Sequence, residues 1–190
     1  TDIADFKPLL IEAEGSKKLR PSLYDFLAHN ALGFYKTSET SINKPSYAFE
    51  IDNPDLLSDH KSFILVQLET KDTLSLQFQA LKIYQNLIRF HSRAKNDEAL
   101  TDVNIDRLLF VKENAVFTDI EDKFLTTLKE EKQFLDNKPE SALYNYEIAN
   151  LYKEQGHRYE PKVKDEERWK IKVQVTMEFR PQDQGPFGLV

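Results

Sequence analysis

Asp25 and His29 are the two residues whose types and spacing best suit chemistry, because they lie four positions apart in a segment predicted to be helical. Residues at positions i and i+4 of a helix share one face, so this carboxylate and this imidazole can offer two ligands to one metal ion. A metal held by helical carboxylates and His29 would support a metal-dependent hydrolase. No third ligand accompanies the pair, and capping and packing roles explain both residues better than a metal does.

The other three histidines suggest structural roles rather than chemistry. His91 lies at the edge of an apolar helix face, where a packed, hydrogen-bonded imidazole is expected. His60 and His157 lie in predicted loops, where we expect solvated rings. None of the three is predicted to bind a metal.

Several kinds of catalytic site are excluded by residue types that the chain lacks. It contains no cysteine, which excludes disulfides, thiolate metal sites, cysteine nucleophiles and an internal thioester within these 190 residues. Its five glycines form no phosphate-binding loop, and no Gly-x-Ser-x-Gly elbow occurs. We therefore predict no enzymatic activity, no cofactor and no resident metal.

Charge and hydropathy indicate a protein partner. A formal net charge of −6 disfavours binding to nucleic acid, which needs a surplus of basic residues to neutralise phosphates. No apolar run reaches the roughly 18–20 residues of a membrane helix, so direct membrane insertion is not expected. Hydrophobic residues make up 40% of the chain, enough for a folded core. The expected partners are other proteins or adjacent domains of the same polypeptide.

Apolar residues at helical spacing predict an all-α fold. Ser22 and Asp25 have the spacing of a capping box, and two apolar stripes follow between residues 23 and 35. Residues 72–95 form the clearest predicted helix, a shorter one capped by Asp102 or Asn104 follows, and another runs from Phe117 to Leu135. The predicted packing residues of these helices are Phe26, Phe78, Leu81 and Phe124.

Two segments interrupt this helical pattern. Residues 36–71 are rich in breakers and predict an irregular insertion with short helical turns near residues 45–49 and 55–58. Within it, residues 62–68 suit either a strand or a buried helical turn. Residues 173–190 alternate in polarity and then contain Pro and Gly, which predicts an extended or disordered tail. The predicted helical domain therefore spans residues 1–172.

Residues 141–156 have the pattern of the first helix of a tetratricopeptide-type hairpin. Ala149 is expected at a close helix crossing, Tyr152 beside it, and Gly156 at the helix end in a left-handed conformation. Trp169 is expected to pack in the partner helix. No second copy appears at a period of roughly 34 residues, so we predict an irregular array of helical hairpins, with an irregular helical bundle as the alternative.

Tyrosines at helical spacing raise the question of a binding groove. Tyr144 and Tyr146 are the candidate partner contacts, because tyrosine is common at protein interfaces. Aromatic residues at this spacing more often belong to the core, so the sequence is compatible with both a core role and a partner contact.

Several segments together resemble the helical region near the amino terminus of large alpha-2-macroglobulin-like proteins of Bacteroidetes. These segments are residues 19–32, 72–88, 105–111 and 141–156. The resemblance implies a non-enzymatic scaffold within a larger secreted or envelope-attached protein that has a protease-inhibitor role. It also implies a location in the periplasm or cell envelope, whereas the amino acids alone leave a cytoplasmic location open. A purely structural spacer is a further alternative, distinguished by the absence of an exposed apolar groove.

Overall fold

The computed structural model describes residues 2–9, 15–37 and 46–159, and these residues confirm the predicted all-α fold. Two 3-10 helices, Ile3–Leu9 and Pro54–Leu57, accompany seven α-helices within them. The α-helices are α1 Ser16–Leu19, α2 Leu23–Tyr35, α3 His60–Phe63, α4 Leu76–Ala94, α5 Asp97–Asn114, α6 Ile120–Phe134 and α7 Ser141–Arg158. Extended pairing in the described part of the chain is limited to two isolated bridges.

Polar caps determine where the principal helices begin. The predicted capping box at α2 is confirmed, since Ser22 accepts from the backbone N–H of Asp25 and the Asp25 side chain accepts from that of Ser22. Helix α4 begins later than predicted because Ser75 caps it, which leaves Leu74 outside the helix and 87% exposed. Helix α5 begins earlier than predicted because Asn96 caps it.

The hairpin of α4 and α5 forms the centre of the core. The helices are antiparallel, since Gln77 near the start of α4 donates to Asn114 at the end of α5. Tyr84 near the middle of α4 donates to Asp106 of α5, 2.8 Å away. The apolar face predicted for α4 is buried in this hairpin, and its buried side chains are Phe78, Leu81, Tyr84, Leu87 and Ile88.

The predicted insertion at residues 36–71 contains short helical turns in its described part. The turn expected at residues 55–58 is present as the 3-10 helix Pro54–Leu57. Residues 62–68 form no strand, and only residues 62 and 63 are helical, because α3 ends at the fully buried Phe63 and residues 64–68 continue as turn and irregular chain. The turn expected at residues 45–49 is wrong for residues 48 and 49, which have no helical structure, and Pro45 lies outside the described residues.

The chain divides into two compact units, residues 1–144 and 145–190. The described part of the second unit is residues 145–159, which belong to α7 and its end. The predicted boundary after residue 172 and the predicted tail lie outside the described residues. No described helix is long and apolar enough to cross a membrane.

Candidate functional site

Helix α2 exposes apolar side chains on the face that points away from the core. Its buried residues are Asp25, Ala28 and Leu32. On the opposite side, Leu27 is 56% exposed and Phe34 is 61% exposed. Most globular helices place charged residues on their outer face, whereas this helix has an inverted pattern.

Three exposed residues of α2 and one half-buried residue, Leu23, have the spacing of a helix-packing seam. Leu23, Leu27, Asn30 and Phe34 follow one another at intervals of four, three and four residues, and we call this set the outer seam. Apolar residues at alternating intervals of three and four present a stripe into which a second helix can pack. The only charged residue of α2 is the buried Asp25, so the outer seam carries no charge.

The predicted packing residues of the first unit separate into buried and exposed sets. Phe78, Leu81 and Phe124 are buried, with at most 4% of their surface exposed. The prediction for Phe26 is wrong, because its side chain is 37% exposed beside the outer seam. Two apolar stripes on α2 indicated packing on both sides, but in the described residues only one side is covered. Trp169 lies outside the described residues.

Helix α7 differs from the predicted repeat helix at its end. Ala149 and Tyr152 are half-buried. Gly156 does not end the helix, since α7 continues through Arg158. Glycine is tolerated within a helix at a cost of about 1 kcal/mol relative to alanine, so its presence alone does not require a left-handed helix end.

The two candidate contact tyrosines have different environments. Tyr144 is only 1% exposed and accepts a hydrogen bond from Asn104 Nδ2 at 2.9 Å, so its prediction as a partner contact is wrong. Burial raises the pKa of this phenol well above its usual value. Tyr146 is exposed, and its role as a partner contact stays a prediction.

The Asp25 carboxylate faces His91 of α4, and its predicted partner His29 has a different contact. His91 Nε2 lies 3.0 Å from Asp25 Oδ1, and both side chains are almost fully buried. Asp25 Oδ2 accepts from the Ser22 hydroxyl at 2.7 Å and from the Ser22 backbone N–H at 3.0 Å. Burial raises the pKa of Asp25, but the contacts with His91 and Ser22 outweigh it and hold the pKa below its usual value.

His29 uses its ring to bond its own helix. Its Nδ1 donates to the backbone carbonyl of Asp25 at 2.8 Å, a bond that the spacing of four residues permits. Burial lowers the pKa of His29, and this hydrogen bond only partly offsets the effect. The spacing that suggested a metal pair therefore produces a bond between a side chain and the main chain.

A buried arginine connects α5 to the insertion. Arg107 is fully buried and donates to the backbone carbonyls of Leu56 and Ser58 at 2.7–3.0 Å, and also to Asn104 Oδ1. Its guanidinium lies 4.4 Å from the centre of the Phe63 ring. Burial lowers the pKa of Arg107 to about 10, so the side chain stays charged at neutral pH. Periodicity in the sequence gave no indication of this network, because the acceptors are main-chain carbonyls of a distant segment.

A second buried pair joins α3 to α6. His60 Nδ1 lies 2.7 Å from Glu131 Oε2, and the His60 backbone N–H donates to Glu131 Oε1. Asp59 is adjacent, and one ligand atom from each of the three residues lies within 4.8 Å of the others. We call Asp59, His60 and Glu131 the His60 cluster. The prediction of a solvated His60 is wrong, because the side chain is buried and packs edge-to-face with the ring of Phe134.

Two features of the described residues are suited to binding. The outer seam is an exposed apolar helix face, and the His60 cluster is a group of potential metal ligands. Comparisons with protein-family models, curated proteins and solved structures find no match to the chain. The fold and these features define an all-α chain with an uncharged apolar helix face and a buried histidine–carboxylate cluster.

Proposed function

We propose that the chain is a non-enzymatic helical docking module, and that its outer seam binds a helix of an adjacent domain or partner protein. The observation that carries this proposal is the exposure of Leu27 and Phe34 on a helix face without charge. Docking can bury only the exposed remainder of these two side chains, somewhat more than half of each, which contributes about 1–2 kcal/mol per side chain. An exposed apolar face of this kind also separates a docking module from a purely structural spacer.

The spacing of the outer seam supports a helix as the occupant. Positions at intervals of four, three and four residues form holes that accept side chains from a facing helix. Asn30 lies within the stripe, and a polar residue at such a position selects the register of the partner at some cost in affinity. An extended peptide would instead seek the free edge of a sheet or a groove between elements.

The wider setting of this module is proposed from the sequence resemblance. The segments similar to the amino-terminal region of alpha-2-macroglobulin-like proteins support a place in a larger secreted or envelope protein. In that setting the outer seam would hold a neighbouring domain in position, and any inhibition of proteases would belong to other domains. The tetratricopeptide-like pattern of α7 agrees with a scaffold of this kind.

Photocrosslinking at the outer seam tests the docking proposal. A benzophenone amino acid replaces Leu27 or Phe34 in the full-length protein in its native cell, and crosslinked peptides are identified by mass spectrometry. The expected product joins the seam to one defined helix, within the same polypeptide or in one partner. Lys129, exposed on α6, is the control position.

Two results would contradict the proposal. One is equal and scattered crosslinking from the seam and from position 129. The other is unchanged crosslinking from position 34 after Leu27→Glu, a variant whose exposed side chain should leave the fold intact.

A further inference from the structure

The His60 cluster has a geometry in which both carboxylates are already held in place. Asp59 Oδ1 accepts from the backbone N–H groups of Lys61 and Ser62 at 2.9 and 3.2 Å. Glu131 Oε1 accepts from the backbone N–H of His60. One oxygen of each carboxylate is thus anchored by the start of α3, and the second oxygen of Glu131 points at the His60 ring.

The donor set of the cluster suits a zinc-class ion. One imidazole nitrogen and two carboxylate oxygens are ligands that zinc accepts, and three protein ligands leave a fourth position for water. Calcium prefers six to eight oxygens, and magnesium usually keeps several of its waters, so both fit this set poorly. Two ligands of a tetrahedral zinc are about 3.3 Å apart, so the ion requires the 2.7 Å contact of His60 and Glu131 to open only slightly.

The surrounding charge is compatible with an added cation. The nearest buried cation is Arg107, which interacts electrostatically with both Asp59 and Glu131. Arg107, Asp59 and Glu131 together carry one net negative charge. Arg107 forms its hydrogen bonds with carbonyl and amide oxygens, and so the carboxylates are not occupied by it.

We propose that Asp59, His60 and Glu131 bind one zinc ion, which joins the start of α3 to α6. The ion takes the place of the proton between His60 Nδ1 and Glu131 Oε2, and the imidazole that ligates through Nδ1 carries its single proton on Nε2. His60 and Glu131 are buried, and the half-buried Asp59 provides the side from which the ion and its water enter. The proposal concerns a site in the insertion, and it does not depend on docking at the outer seam.

Titration of the purified 190-residue chain with zinc chloride in a calorimeter tests this site. The wild type is expected to bind one zinc per chain and to melt at a higher temperature with zinc present. Asp59→Asn is the principal variant, because asparagine caps a helix as well as aspartate but lacks the charged ligand. We expect this variant to lose at least about tenfold in zinc affinity, because removal of a direct ligand should exceed the effect of removing an outer-shell partner.

Two control variants make the result specific. Asp55→Asn changes an exposed carboxylate of the same segment, and His157→Gln removes an exposed histidine, so both should bind zinc as the wild type does. Uptake should also weaken at lower pH, since protons compete with the ion for the imidazole. Absence of saturable binding by the wild type would overturn the proposal, as would equal affinities in Asp59→Asn and Asp55→Asn.

Discussion

Asp25 contacts His91 and Glu131 contacts His60, but the two carboxylates differ in their other hydrogen bonds and neighbours. The second oxygen of Asp25 accepts hydrogen bonds from Ser22 at the start of α2. This carboxylate therefore stabilises the beginning of the helix as well as contacting the buried His91. Both oxygens of Glu131 accept from or lie against His60, and a second acidic side chain, Asp59, lies beside them. Both pairs have a histidine in contact with a carboxylate, and the additional donor, Asp59, is what distinguishes the second pair as the proposed zinc site.

The largest expected effect is that of Asp25→Ala, which tests whether the first pair is structural. The substitution removes the capping box and leaves His91 buried without its carboxylate, at a cost of about 3–5 kcal/mol in the free energy of unfolding. Denaturant unfolding measures this change. Asp25→Asn should lose less, because asparagine retains the cap. A loss below that of Glu131→Gln would reverse the ranking of the two pairs.

Arg107→Met should have the next largest effect, because it removes the support of the segment that contains His60. The buried carbonyls of Leu56 and Ser58 lose their donor, which should cost about 2–3 kcal/mol. Hydrogen exchange should accelerate in residues 56–63 more than in α2. Arg93→Met on the exposed side of α4 is the matched control, with an expected change within about 0.5 kcal/mol. Uniform acceleration across both regions would show that Arg107 does not act locally.

Glu131→Gln without metal should have a smaller effect and should sharpen the comparison. Glutamine keeps the shape and one acceptor for the His60 backbone N–H, so we expect a loss of about 1–2 kcal/mol. Thermal unfolding in the presence of a chelator measures it. Zinc should then raise the melting temperature of the wild type but not that of the variant. Equal zinc-induced shifts would remove Glu131 from the proposed ligands.

The smallest expected effect is a pH dependence that comes from His29. Burial lowers the pKa of this ring in the folded chain, whereas the unfolded chain keeps the ordinary value of 6.5. Below that pH the unfolded state binds more protons, so the contribution of His29 to stability is present above pH 6.5 and is lost as the pH falls. Unfolding at pH 7.5 and 5.5 should differ less for His29→Gln than for the wild type. His157→Gln, at an exposed position, should retain the full difference.

The helices could be predicted from sequence where local signals act alone. Ser22 and Asp25 form a capping box within four residues, and Phe78 and Leu81 repeat at helical spacing, so both predictions are confirmed. Local signals also explain the errors. Asp102 and Asn104 are good capping residues, but Asn96 caps first and places both of them within α5. The choice among several possible caps depends on where the preceding helix ends.

The contacts of the buried polar residues could not be predicted from sequence. His60 and Glu131 are 71 positions apart in the sequence. Arg107 donates to main-chain carbonyls, and because every residue has one, no side-chain pattern marks its acceptors. Asp25 and His29 had a suitable spacing, but the choice between His29 and His91 as the partner of Asp25 depends on the packing of α2 against α4. The prediction for Phe26 is wrong for a related reason. An apolar stripe in the sequence does not show whether the chain itself or another molecule covers it.

Arg107 and Thr127 hold the insertion by its main chain, and this has an evolutionary consequence. Their acceptors are the carbonyl oxygens of Leu56, Leu57 and Ser58, which are present whatever the side chain. Mutation at exposed positions of this segment can therefore accumulate without loss of these attachments, whereas replacement of either donor removes one of them. In descendants of this sequence, the surface of the insertion can diversify while the two donors on α5 and α6 persist.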